Sequence, residues 1–145
     1  MSMLFSSFMF IALLAVSMAH FLWAFGLTWP IRNGNEKLLA QTVVGFKDIE
    51  HMPPRPASFV VAVATLTAGV FALALADHDS GGLLLNLAGL ALAAVFLARG
   101  IIGYTPWWAA LTPEPIFRLN DRRVYSPLCL FVGIGFLVLV LLRLT

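Results

Sequence analysis

Apolar residues fall into four stretches along the chain, at about 4–27, 57–76, 83–103 and 126–144. Each has roughly the 20 residues that a helix needs to cross a ~30 Å hydrocarbon core. None alternates with period two, which excludes a β-barrel, and in lipid a helix satisfies its own backbone polar groups. The pattern predicts an all-α, polytopic four-helix bundle: a single transmembrane domain over residues 1–145, with connections at 28–56 and 104–125.

The stop signals agree with this division. Trp29-Pro30 closes the first stretch, and Pro53, Pro54 and Pro56 break the chain before the second. Asp77-His78-Asp79-Ser80-Gly81-Gly82 reads as a tight turn between the second and third. Thr105-Pro106 ends the third, and Pro127 lies in the first turn of the fourth, where its missing N–H costs nothing. In the first connection, 36–44 reads as a short interfacial helix or strand. Gly26-Leu27-Thr28-Trp29-Pro30 and Gly103-Tyr104-Thr105-Pro106-Trp107 echo one another. Each precedes a long basic connection and a Pro-marked helix start, the pattern expected of two parallel hairpin repeats.

Composition removes the soluble alternative. Hydrophobic residues make up 61% of 145 and charged ones only 11%, and mean hydropathy is +0.94. Nine basic and seven acidic side chains could not cover the surface of a soluble domain this small. The N-terminal stretch lacks a basic n-region and is too long for a signal h-region, so it reads as a retained anchor. Charge then sets the expected orientation. Arg32, Lys37, Lys47 and Arg55 belong to the first connection; Arg99, Arg118, Arg122 and Arg123 belong to the second or its margin. Only Arg143 stands at the other end. This asymmetry predicts a bacterial inner-membrane protein with both long connections in the cytoplasm and both termini outside.

That orientation gathers the polar residues into the cytoplasmic half. His20 lies about 10 Å deep at 1.5 Å per residue, with Ser17 and Trp23 on its face. It reads as a proton-linked residue, a ligand contact, or a neutral imidazole bonded to a neighbouring helix. Arg99 either snorkels to the headgroups, pairs with Asp121 or binds a phosphate. The run Arg118-Leu119-Asn120-Asp121-Arg122-Arg123 sets topology and attracts anionic lipid. Asn120 and Asp121 could also order it around a headgroup. Trp23, Trp29, Tyr104, Trp107, Trp108 and Tyr125 form an aromatic belt or line an amphiphile pocket. Ala64, Ala68, Ala72 and Ala76 form a small-residue stripe for close packing, within the bundle or against another protomer, and Gly133 and Gly135 could serve similarly.

Other chemistry is thinly represented. One cysteine, Cys129, precludes an intrachain disulfide, and no second histidine matches His20 for haem or zinc. The nucleotide-binding, serine-hydrolase and zinc-protease signatures are absent from the sequence. No catalytic set, metal, cofactor or nucleic-acid partner is expected. The expected function is binding of an anionic amphiphile or lipid, as a carrier, in a cytoplasm-facing pocket. Arg99, Arg118 and Arg122 would meet the head, with Asp121 ordering the turn. Trp23 and Tyr125 would meet the apolar part and His20 would form the floor. The alternatives are a non-catalytic accessory subunit and a membrane-embedded enzyme acting on a lipid-like substrate. Expected partners are membrane lipids and a second copy or a larger membrane complex.

At His20-Phe21-Leu22-Trp23-Ala24-Phe25-Gly26 the chain resembles a family of small four-helix bacterial membrane proteins, domain of unknown function 3995. It does so again at Phe117-Arg118-Leu119-Asn120-Asp121-Arg122-Arg123-Val124-Tyr125-Ser126-Pro127-Leu128-Cys129. The resemblance covers essentially the whole chain. It implies four helices and a bacterial origin, and it supplies no residue roles.

Overall fold

In the computed structural model, which describes residues 1–79 and 81–145, the described part of each apolar stretch is helical along most of its length. Ser80, within the expected turn, lies outside the described residues. The helices are α1 (Ser2–Ala24), α2 (Glu36–Val43), α3 (Arg55–Ala76), α4 (Gly82–Ile102), α5 (Pro106–Leu111), α6 (Pro115–Asn120) and α7 (Ser126–Leu144). Among the described residues there is no strand. Among the described residues, four segments are long and apolar enough to cross a membrane: α1, α3, α4 and the run Pro115–Leu144. The apolar windows of these segments are only 22–33% buried. Leaving that much apolar surface in water would cost about 25 cal/mol per Å². Lipid is the solvent that makes the exposure favourable, and this is a multi-pass membrane protein.

Local chemistry sets the helix ends. Gly26 takes φ +84°, a left-handed conformation in which glycine is unstrained, and α1 stops at Ala24, three residues before the expected end. Pro54 precedes α3 and Pro56 lies in its first turn. The Thr105 hydroxyl accepts from Trp108 N–H at 3.3 Å, capping α5, and Pro106 occupies its first turn.

The main deviation from the sequence expectation is the 104–125 connection, which is mostly helix rather than loop. It contains α5, α6 and a π-helical turn over Asp121–Tyr125. That turn runs without a break into α7, so Pro115–Leu144 is one helix of 30 residues. At 1.5 Å per residue its length is about 45 Å, well beyond a ~30 Å core. Its first third, carrying Arg118, Arg122 and Arg123, is the part that precedes the expected 126–144 span. In the first connection, α2 settles the choice between helix and strand.

Each hairpin packs first on itself, α1 on α3 and α4 on α7, and α7 also touches α1 and α3. Small residues allow the close approach. A Cβ at Gly69 would meet the Phe10 ring at 3.0 Å, and Ala68, Ala72 and Ala76 are buried, while Ala64 is exposed. The buried part of the stripe thus packs within the chain. Gly133 faces Leu97 of α4, and Gly135 faces Met9 of α1. Ser17 is buried and donates to the Ala62 carbonyl across the α1–α3 interface at 2.6 Å. At the end carrying the termini, Arg143 Nε donates to Asn86 Oδ1 at 2.7 Å, and Nη1 donates to the carbonyls of Leu75 and Asp77. One guanidinium thereby ties the end of α7 to the last turn of α3 and the start of α4, near carbonyls that a helix C-terminus leaves without helical partners.

Candidate functional site: the arginine notch at the loop end

The two connections meet at the opposite end. Leu39 and Ala40 of α2 are fully buried, and α2 packs on α6. Glu114 N–H donates to the Gly45 carbonyl at 3.2 Å, and Tyr125 Oη donates to the Thr42 carbonyl at 3.0 Å. Gly45 has φ +79°, and any Cβ there would overlap the Phe117 ring, so only glycine lets the strap lie this close. Phe117 is itself buried, between Trp108 and Tyr125, with ring centroids 6.5 and 5.8 Å away.

Beneath this cap lies a buried polar cluster. Asp121, at the head of the π turn, is 2% exposed. Its Oδ1 accepts from Arg99 Nη2 at 2.7 Å and from Ser126 Oγ at 3.2 Å, and its Oδ2 accepts from Trp108 Nε1 at 3.0 Å. Arg99 Nη1 reaches Ser126 Oγ at 3.4 Å, and the guanidinium carbon lies 4.8 Å from the centre of the Trp108 ring. Both carboxylate oxygens are occupied, as a buried charge requires. Gly103, at the end of α4, makes room for the cluster: a Cβ would collide with Ser126 Oγ and lie 3.0 Å from Asp121 Oδ2. The cluster binds α4, α5 and the start of α7 together, and an extra residue per turn at 121–125 accompanies the inward turn of Asp121.

Above the cluster is a shallow notch of about 160 Å³, counting the part open to solvent. It is lined by Gly103, Trp108, Ala109, Thr112, Arg118, Asp121 and Arg122. Among the described residues, the side chains of Arg118 and Arg122 form no ion pair or hydrogen bond, whereas Asp121 is neutralised by Arg99. Tyr104 Oη donates to the Arg122 carbonyl at 3.2 Å and fixes the backbone at the rim. The notch therefore presents net positive charge.

Of the sequence-selected residues, Arg118, Asp121 and Arg122 meet at the notch, and Arg99 sits below it. Arg99 pairs with Asp121, one of its expected fates, so it holds the turn in place. Tyr125 has its hydroxyl on Thr42 and its ring on Phe117, which makes it a strut between the connections. His20 and Trp23 form a separate pair on α1, with ring centroids 4.6 Å apart. His20 Nδ1 donates to its own helix at Val16 O, 2.8 Å away, and Trp23 Nε1 donates to Trp29 O at 2.6 Å. An open groove nearby is lined by residues 27–32 with Leu22. Sequence reasoning did not assign Ser126 or Gly103 to the site, and offered Trp108 only as one ring of a belt or an amphiphile pocket. The available signal was the intramembrane arginine itself: a guanidinium at that depth needs acceptors and a ring to shield it.

Among the described residues no group of His, Cys, Asp and Glu side chains is arranged to hold a metal ion. No curated protein and no solved structure matches the chain. The pattern of the family described as protein of unknown function, DUF3995, matches residues 13–136. With that match over most of its length and four membrane-length helices, the chain belongs to the DUF3995 family.

Proposed function

We propose that this protein binds the anionic headgroup of a lipid or related amphiphile at the Arg118–Arg122 notch, from the cytoplasmic face of the bacterial inner membrane. The observation that carries this reading is the asymmetry of charge in the cluster. The carboxylate is buried and neutralised, while the two arginines on the rim stay uncommitted, a fork geometry suited to phosphate. The cytoplasmic assignment rests on the basic residues of the two connections, whose docking sets them at one end of the bundle. The notch encloses no space for a ligand, so a headgroup would rest on its arginine rim with the acyl chains left in the bilayer, and the reading narrows from a carrier with an enclosed pocket to recognition at the membrane surface.

Native mass spectrometry of detergent-purified protein with added phosphatidylglycerol tests the proposal. Retained lipid should fall in Arg118→Ala and in Arg122→Ala, and should persist in Arg123→Ala, which removes an equal charge from a position outside the notch. Equal retention in all three would leave the accessory-subunit reading in its place.

A further inference from the structure

The two short helices of the second connection turn one aromatic inward each, half-buried Trp108 in α5 and buried Phe117 in α6, and leave the apolar residues beside it on the surface. In α5, Trp108 turns inward to Arg99 and Asp121, whereas Trp107 is 63% and Leu111 44% exposed. In α6, Phe117 is buried, whereas Ile116 is 38% and Leu119 51% exposed. Residues 107 and 111, and likewise 116 and 119, share a face at helical spacing. Their neighbours in the chain include Arg118, Arg122 and Arg123, and the acids of this stretch do little to offset them. Asp121 is paired inside, and Glu114 is half-buried.

We infer that α5 and α6 form a shelf lying in the interfacial layer of the membrane, their apolar faces inserted among lipid chains and their arginines at anionic headgroups. Two observations choose lipid as the occupant. One of its two helices, α6, continues directly into a membrane-crossing helix through the unbroken run Pro115–Leu144, which also exposes Phe131, Ile134 and Val138. Its fixed charge is complementary to anionic headgroups, and a tryptophan with flanking arginines is the side-chain set that interfaces favour. The inference shares Arg118 and Arg122 with the notch, and its test reads the outward apolar faces, which the notch does not include.

Site-directed labelling in vesicles tests it. In a Cys129→Ala background, single substitutions Leu111→Cys, Ile116→Cys and Leu119→Cys are compared with Lys37→Cys in the first connection. Vesicles of phosphatidylcholine with phosphatidylglycerol, opened to give access to both faces, are treated with a membrane-impermeant maleimide. Labelling at 111, 116 and 119 should be roughly tenfold or more slower than at 37, the occupancy ratio expected for a leucine-sized group that prefers lipid. Rates equal to that at 37 would overturn the inference. Protection present at many chains per vesicle but lost at one chain per lipid nanodisc would overturn it too, in favour of a second copy as the cover. The unsubstituted protein gives an independent reading free of any folding defect. Brominated phosphatidylcholine should quench part of its tryptophan emission, and Trp107→Phe should remove that part. Quenching unchanged by Trp107→Phe would contradict a shelf in lipid.

Discussion

The two long connections sit at the same end of the bundle, carry several basic residues each, and are built on opposite principles. The first, 25–54, is a hydrated strap. Its charges are exposed and balanced in number, Arg32, Lys37 and Lys47 against Glu36, Asp48 and Glu50: Lys37 lies 3.7 Å from Glu50, and Glu36 lies 3.7 Å from the His51 ring and accepts from Met52 N–H. Exposed pairs of this kind contribute little to stability. The second, 103–125, draws its aspartate inside, turns apolar side chains outward and keeps its arginines uncancelled. On the proposed reading, equal basic content serves water in one segment and lipid in the next. The difference is made by where the acidic partner goes.

The sharpest way to break that contrast is to remove the buried acid. Asp121→Ala leaves Arg99 without its carboxylate and should cost about 3–5 kcal/mol, whereas Glu36→Ala in the exposed strap should stay within about 1 kcal/mol. Unfolding of both variants by denaturant titration in mixed micelles makes the comparison. A smaller loss should follow Gly103→Ala, because the new Cβ collides with Ser126 Oγ; overpacking of this kind costs about 1–3 kcal/mol. In the strap, Gly34→Ala meets nothing within 4 Å, and its cost should be limited to about 1–2 kcal/mol of left-handed backbone strain at φ +65°. The same titration compares the two. The mildest change is Tyr125→Phe, which removes the bond to Thr42. A loss of about 1 kcal/mol is expected, read as faster hydrogen exchange at the α2 amides with the exchange of α7 unchanged.

The contrast also explains how much the sequence discloses. Membrane helices are legible because an apolar run of fixed length, bounded by Pro and Gly, has few other solutions. α1, α3 and α4 start and end within three residues of the expected limits, the fourth run ends at the expected Leu144 but starts at Pro115, and α1 stops early because Gly26 turns left-handed before Trp29-Pro30. The pairing of Arg99 with Asp121 was among the readings open from sequence, because an arginine at that depth needs an acceptor. The shelf was not legible as helix, since six-residue segments are too short to show periodicity. Thr105-Pro106 and Glu114-Pro115 were nevertheless helix-start signals within it. The π turn was hidden as well, because it depends on partners from α4 and α5 that no local pattern reveals. His20 misled for a related reason: an intramembrane histidine invites a distant partner, yet its Nδ1 donates to a carbonyl one turn back on its own helix.

The central claim is that anionic headgroups are met by the second connection and not by the first. A pair of charge-matched double variants tests it most directly. Arg118→Ala with Arg122→Ala removes two positive charges from the notch, and Lys37→Ala with Lys47→Ala removes two from the strap. Phosphatidylglycerol is titrated against each in neutral detergent, and the rise in unfolding temperature is followed, since a ligand that binds the folded state raises it with concentration. The account predicts that the rise is lost in the arginine pair and kept in the lysine pair. An equal reduction in both would show that only total charge at this end of the bundle matters, and would contradict it.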